Sequence, residues 1–207
     1  MAHAVNADGR PDWAGRRVLD IGAGTGWAVD EVRRMGASLS MGIDPSIKHF
    51  FLAQECYPDA FMVYSTLEGF KTRQRFDRIF SIMSLQHIDN LRLGMTKVHD
   101  LLVPGGDFMA IVPNYDYFRL PRHGYEVEIT EIDSLQYVTT IKRETGTISD
   151  IVRKEIAYVL AGDVVGLDLL EAKSMRLDDI LIRQLPKYKN YRGNALFNFL
   201  RFRRKTV

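Results

Sequence analysis

Short apolar runs alternate with amphipathic stretches through the first half of the chain, a pattern that predicts strands and helices in turn. The first run, Val18-Leu19-Asp20-Ile21, ends in glycines and marks a buried strand leaving its sheet. The stretch from Trp27 to Met35 suits a helix, and Gly36 is placed to stop it. A second strand, Leu39 to Ile43, ends at Asp44-Pro45-Ser46, where Ser46 can cap a helix running to about Cys56. Phe61 to Tyr64 and Phe76 to Ile82 read as the third and fourth strands. Between Asn90 and Val103, the spacing of Leu91, Met95, Val98, Leu101 and Leu102 draws one apolar stripe along a helix. Pro104-Gly105-Gly106 breaks that helix, and Phe108 to Val112 is the fifth strand. Strand and helix alternating in this order imply a parallel α/β sheet.

Past Pro113 the period changes. Residues 114–149 are too long a connection for a plain loop in a compact domain. Tyr125 to Thr130 and Tyr137 to Lys142 both alternate, which predicts a β hairpin forming a small insert beside or over an active-site mouth. A helix is expected from about Asp150, with Val152, Ile156, Val159 and Leu160 on one face and Gly166 at its end. Leu167 to Ala172 and Ala195 to Arg203 read as strands six and seven, the last with Leu196, Leu200 and Phe202 on one side. The whole of 1–207 reads as a single domain, with 114–149 as a substrate-side insert.

The chemistry concentrates at the first turn, Asp20-Ile21-Gly22-Ala23-Gly24-Thr25-Gly26-Trp27. Glycines let the backbone turn sharply and approach a ligand closely. A dinucleotide fingerprint, G-x-G-x-x-G, would need a glycine where Trp27 stands, so close packing over a pyrophosphate is not expected. The stretch resembles the first motif of the class I S-adenosylmethionine-dependent methyltransferases, an acidic residue followed by G-x-G-x-G. That resemblance implies S-adenosylmethionine as cofactor, with Asp20, Gly22, Ala23, Gly24 and Gly26 around its methionine end. It also implies a Rossmann-like α/β fold: seven mostly parallel strands with an antiparallel last strand, helices on both faces, and here the β insert after strand five. Acidic side chains beside the turn suit a sulfonium and an amino group better than a phosphate.

Asp44, at the end of the second strand with Pro45 behind it, is placed to accept hydrogen bonds from ribose hydroxyls. The family pattern puts Ser65, Thr66 and Leu67 beside the adenine. Ser81 and Ile82, with Met83 after them, fall at the carboxyl end of the fourth strand and are candidates to face the ligand. His87 is the acid–base candidate of the following loop, with Asp116 and His123 as further candidates from the insert. Tyr115, Tyr117 and Tyr125 can line an acceptor pocket. The Asn/Asp-Pro-Pro-aromatic signature of adenine and glutamine-amide methyltransferases is absent after the fourth strand. About seventeen residues precede Val18. The helical lid of the family is therefore expected to be missing, shortened, or supplied by the insert or a partner subunit.

Composition narrows this only a little. Of 207 residues, 46% are hydrophobic and 26% charged, as in ordinary globular proteins. No apolar stretch approaches the ~18 residues of a membrane span, so no membrane partner is expected. The lone Cys56 excludes an intrachain disulfide and fits a reducing, cytoplasmic setting. No metal-ligand spacing is visible. The net charge of +2 hides an asymmetry, since the eight charged residues after Asp179 are all basic. A solvated edge strand is favoured over a nucleic-acid patch as the explanation. The expected function is transfer of a methyl group to O, N or S of a small-molecule acceptor. An RNA or nucleotide-linked methyltransferase and a non-catalytic S-adenosylmethionine-binding module are the alternatives.

Overall fold

The computed structural model describes residues 12–121, 125–144, 146–177, 182–183, 189 and 191–206. Strand β1 (Arg17–Ile21), helix α1 (Trp27–Arg34), β2 (Leu39–Asp44), α2 (Ile47–Cys56), β3 (Phe61–Tyr64) and β4 (Phe76–Ile82) come first. Then follow α3 (Leu91–Leu101), β5 (Leu102–Pro113), β6 (Glu126–Glu131), β7 (Gln136–Arg143) and β8 (Gly146–Arg153). Helix α4 (Glu155–Val164), β9 (Leu167–Arg176) and β10 (Ala195–Arg204) complete the order. Seven strands form one sheet in the order β3-β2-β1-β4-β5-β10-β9. The pairs among β1 to β5 are parallel, and β10 runs antiparallel to both of its neighbours, as the resemblance implied.

Both faces of the sheet are covered, which is why its central strands carry apolar residues on both sides. Leu19, Ile79 and Phe108 pack with Met95, Val98 and Leu101 of α3. Val18 and Phe80 point the other way, against Ala28 and Val32 of α1. The local signals acted as expected. Gly36 sits at φ +88° just past α1, and the Ser46 hydroxyl accepts the His49 N–H at 3.2 Å.

Three expectations need correction. Leu102 is buried as the first residue of β5, so the strand runs through Pro104-Gly105-Gly106 across a register shift. The insert is a three-stranded antiparallel sheet, β6-β7-β8, in place of a hairpin. Its last strand extends to Arg153, so Asp150 and Val152 are strand residues and α4 starts only at Glu155. Thr147, Ile148, Ile151 and Val152 are β-branched and favour the pleated form where β7 is present to pair with them. The inward face of α4 is Tyr158 and Gly162, while Ile156 and Leu160 are about half exposed. A Cβ at Gly162 would lie 3.0 Å from the Phe202 ring, so the small residue sets the close approach.

The last basic residues belong to β10 or follow it directly, and β10 lies between β5 and β9, so it is not the edge strand the sequence suggested. The buried Asp107 accepts from Arg201 at 2.6 Å and from Arg203 at 2.8 Å. Burial alone would raise this carboxyl, but Arg203 and Arg201 hold it below its ordinary value. Arg204 donates to the carbonyls of His99 and Leu102, and Lys205 lies 3.2 Å from both Asp163 and Asp168.

The buried Tyr158 phenol is pushed up to about 12 by desolvation. The fold thus favours its neutral form. That stability is complete below the unfolded value of about 10 and is lost as pH rises towards about 12. Urea denaturation should show about 1 kcal/mol of stability lost between about pH 9 and about pH 11 that Tyr158→Phe does not lose.

Candidate active site

Strand β1 delivers the glycine turn beside the end of β2, and the turn is fastened there through its own backbone. Gly22 and Ala23 N–H donate to the Ile43 carbonyl at 2.8 and 3.0 Å. Gly24 N–H donates to Asp44 Oδ2 at 2.8 Å, and Gly26 N–H to the Ala23 carbonyl at 3.0 Å. A pyrophosphate-binding turn offers such donors to its ligand; here these four are satisfied within the protein. Gly22 (φ +75°) has no room for a side chain, because a Cβ there would lie 2.3 Å from the Ser84 Cβ. Gly24 (φ +55°) faces open space. Gly42, paired with Asp20 in the β1–β2 register, is equally constrained. A Cβ on it would meet Ala23 at 2.6 Å and Met62 Sδ at 2.7 Å.

A cavity of about 360 Å³ opens at this point. Ile21, Ile43, Leu67 and Ile88 give it apolar walls, while Asp44, Ser46, His49, Ser65, Thr66, Glu68 and His87 bring polar groups. The buried Asp44 carboxylate accepts from Ser46 N–H at 2.9 Å and lies 3.2 Å from His49 Nδ1, in addition to its bond from Gly24. Beside it Asp20 is buried under the turn, and burial first, then the charge of Asp44, raises its carboxyl well above the ordinary value. The Asp44 carboxylate at the open glycine turn favours a ligand with positive charge, and such a ligand would offset the repulsion that Asp20 feels from it. Ser65 N–H donates to the Asp44 carbonyl at 3.1 Å, and Thr66 Oγ1 accepts from Gly69 N–H at 3.0 Å, so the segment after β3 is fixed against the cavity.

The loop after β4 closes the other side. Ser84 donates to the Ile21 carbonyl at 2.6 Å and lies against the Ser81 hydroxyl. Met83 has φ +54°, the one non-glycine residue in the left-handed region among the described residues. Such a conformation costs about 1 kcal/mol or more and persists where surroundings enforce it. Here Met83 N–H donates to the Ile111 carbonyl at 2.9 Å, and Gln86 Nε2 donates to the Met83 carbonyl at 2.7 Å. His87, in a short 3₁₀ turn (Leu85–His87), lines the cavity with Nδ1 3.4 Å from Asp150 Oδ1 of β8.

Of the residues singled out in the sequence, Gly22, Gly24, Asp44, Pro45, Ser65, Thr66, Leu67 and His87 line this cavity together. Asp20, Ala23 and Gly26 belong to the strand and turn that support it. Ser81 is fully buried beneath Ser84, and Ile82 lines a small apolar cavity with Trp13 on the α1 side of the sheet. Asp116 lines a separate cavity with Ser174 and Arg176. Tyr115 and Tyr117 pack in a second core, with Tyr115 edge-on to Tyr137 at 5.0 Å and Tyr117 edge-on to Tyr191 at 5.3 Å. Tyr125 is about half exposed, and His123 lies outside the described residues. His49, Ser46, Ser84 and Asp150 were missed. A helix N-terminus directly after Asp44 was the signal for the first two; nothing local pointed to Asp150.

The family model described as a methyltransferase domain matches residues 3–147. This chain is a member of the S-adenosylmethionine-dependent methyltransferase family. Among curated proteins it is similar to a ubiquinone biosynthesis O-methyltransferase of Nitrobacter winogradskyi, 31% identical over 108 residues, 50% of this chain and 41% of that one. The chain thus spans less than half the length of that relative. Its fold is that of a methyltransferase from Mesorhizobium loti (TM-score 0.73, 21% identity, 94% and 93% of the two chains covered). A structure from Listeria monocytogenes is similarly close (TM-score 0.76, 16% identity, 95% and 94% covered). Both are described as S-adenosylmethionine dependent. The methyltransferase cofactor fits the cavity seen here: the open space at Gly24, the internally satisfied turn and the paired carboxyls suit a cationic nucleoside without phosphates. Among the described residues no helix is long and apolar enough to cross a membrane.

The glycine geometry separates two substitutions. Gly42→Ala overpacks the strand beneath the turn and should cost about 1–3 kcal/mol in urea unfolding. Gly24→Ala meets open space, so its cost should be only the left-handed backbone, about 1–2 kcal/mol, and its larger effect should be on S-adenosylhomocysteine affinity measured by calorimetry.

Proposed function

We propose that this methyltransferase methylates a hydroxyl oxygen of a small molecule, of phenolic type, with His87 as the base. The observation that carries the reading is His87 on the cavity wall with the buried Asp150 carboxylate beside its Nδ1. A carboxylate there favours the tautomer with the proton on Nδ1, which leaves Nε2 to take a proton from the acceptor. Hydroxyl acidity selects the acceptor. A phenol, at about 10, is acidic enough to give up its proton to a positioned side-chain base. An aliphatic hydroxyl is far less acidic and is not. The similar protein of Nitrobacter winogradskyi is an O-methyltransferase, which supports oxygen as the acceptor atom.

When bound, S-adenosylmethionine supplies a methyl group on a positively charged sulfur. In this reading Asp44 accepts from the ribose hydroxyls, with Oδ2 the available oxygen, since it keeps a lone pair beyond its bond from Gly24 while Oδ1 already meets Ser46 N–H and His49 Nδ1. Pro45 holds the chain behind it. Asp20, with Gly22, Ala23, Gly24 and Gly26, receives the cationic end. Ile21, Ile43, Leu67 and Ile88 enclose the base, with Ser65 and Thr66 at its polar edge. Met83, packed like Tyr115 against the second core, stands in this reading between the cofactor side and the acceptor side. Holding the acceptor in line is the main contribution of such a site, because alignment alone supplies several kcal/mol. A cytoplasmic setting is part of this reading, with Cys56 exposed as a free thiol.

Two tests separate binding from chemistry. Asp44→Ala should weaken S-adenosylhomocysteine by about 10–100-fold in calorimetry, as loss of charge-assisted hydrogen bonds predicts. Asp44→Asn, which can still accept from Gly24, should lose less. His87→Asn should lower kcat on phenolic acceptors by about 100-fold or more while leaving cofactor affinity within about 3-fold. Above about pH 10 that deficit should shrink, because phenols then ionise unaided. An undiminished kcat at neutral pH in the asparagine variant would remove His87 from the mechanism.

A further inference from the structure

Arg153 is among the most completely buried side chains of the described residues, at 1% exposure, and it donates to a side-chain amide and to backbone carbonyls. Its Nε donates to Gln136 Oε1 of β7 at 3.1 Å. Its Nη1 donates to the Leu85 carbonyl at 3.4 Å, and its Nη2 to the carbonyls of Ile88 at 2.7 Å and Asp89 at 3.0 Å. The Tyr158 hydroxyl of α4 lies beside the guanidinium, and the charges of Asp89 and Asp133 act on it from farther off. These carbonyls flank His87 on both sides. Three residues earlier on the same strand, Asp150 meets the His87 ring. Strand β8 therefore holds the turn at its backbone and at its functional side chain.

A buried guanidinium is unfavourable unless its donors are matched, and an apolar residue of similar volume would pack there more easily. What an arginine adds is a planar fork that reaches several carbonyls at once, which the single point charge of a lysine does not. We propose that Arg153 is a positioning residue that locks the His87 turn to the insert sheet, so that the acceptor-side insert and the turn move as one body. The proposal rests on the reading of His87 as the base. It adds that the insert sets the orientation of that base, in addition to walling the acceptor side.

The test uses the full chain with Arg153→Met and Arg153→Lys, beside His87→Asn. Three readouts are taken: S-adenosylhomocysteine affinity, amide hydrogen exchange, and kcat and KM on a phenolic acceptor. The N–H groups of His87 and Ile88 are bonded within the turn, to the carbonyls of Ser84 and Leu85, and report on it directly. Arg153→Met should speed their exchange by about 10-fold or more with central strands unchanged. It should also lower kcat by about 10-fold with a smaller change in KM, and keep affinity for S-adenosylhomocysteine within about 3-fold. Arg153→Lys should fall between. If the methionine variant loosens the whole core, the lysine variant decides: selective loosening of the turn supports the lock, and wild-type exchange there overturns it. Wild-type kcat with either variant also overturns it. His87→Asn should lower kcat without changing exchange in the turn, so a failure of the base assignment is read separately from a failure of the lock.

Discussion

The junction between the ends of β1 and β2 is the constraint on which the site depends. The Ile43 carbonyl accepts from Gly22 and Ala23, and the Asp44 carboxylate accepts from Gly24. These bonds turn the backbone donors of the glycine turn inward and fix the Asp44 side chain at the cavity edge. In a buried setting such bonds are strong, and the same setting makes an unmatched charge costly. The result is a rigid concavity with carboxyl groups at its floor and rim, an environment for a cation. The clearances enforce it: side chains at Gly22 or Gly42 would push Ser84, Ala23 or Met62 out of place.

On that fixed platform the variable parts of the molecule meet at the loop after β4. Ser84 ties the loop to β1 through the Ile21 carbonyl, and Met83 is held in its left-handed conformation by Ile111 and Gln86. Across it stands a second core made largely by the insert. Beside that core the Arg119 guanidinium lies over the rings of both Tyr115 and Tyr137, 4.6 and 4.2 Å from their centroids, and pairs with Glu131 of β6. The aromatic residues of the 114–149 stretch therefore do structural work first. They fasten the insert to the end of β5, and they bring β8 to the His87 turn.

Much of this was legible in the chain. The glycine turn, Asp44, the capping Ser46 and the stripe Leu91, Met95, Val98, Leu101 each depend on residues close in sequence, and each stands as its local chemistry indicates. His87 was legible as the histidine of the loop past β4. Other features were not. Asp150 and Arg153 looked like the start of a helix, because Val152 and Ile156 fit that period and only pairing with β7 makes the segment a strand. In α4 the larger residues Ile156 and Leu160 suggested the buried face, whereas contact with Phe202 selects the small Gly162. The acidic partners of Arg201, Arg203 and Lys205, which are Asp107, Asp163 and Asp168, were not legible either, because each lies far away in sequence.

The chain by itself determined the alternation of strand and helix, the position of the glycine turn and the acidic residue at the end of β2. Those follow from backbone freedom at glycine, side-chain caps and apolar period, all of which act within a few residues. Tertiary structure alone decided the partner of His87, the burial of Arg153 and the pairing of the terminal arginines. Each of these joins groups distant in sequence, and their energies come from desolvation and geometry that exist only once the sheets have assembled.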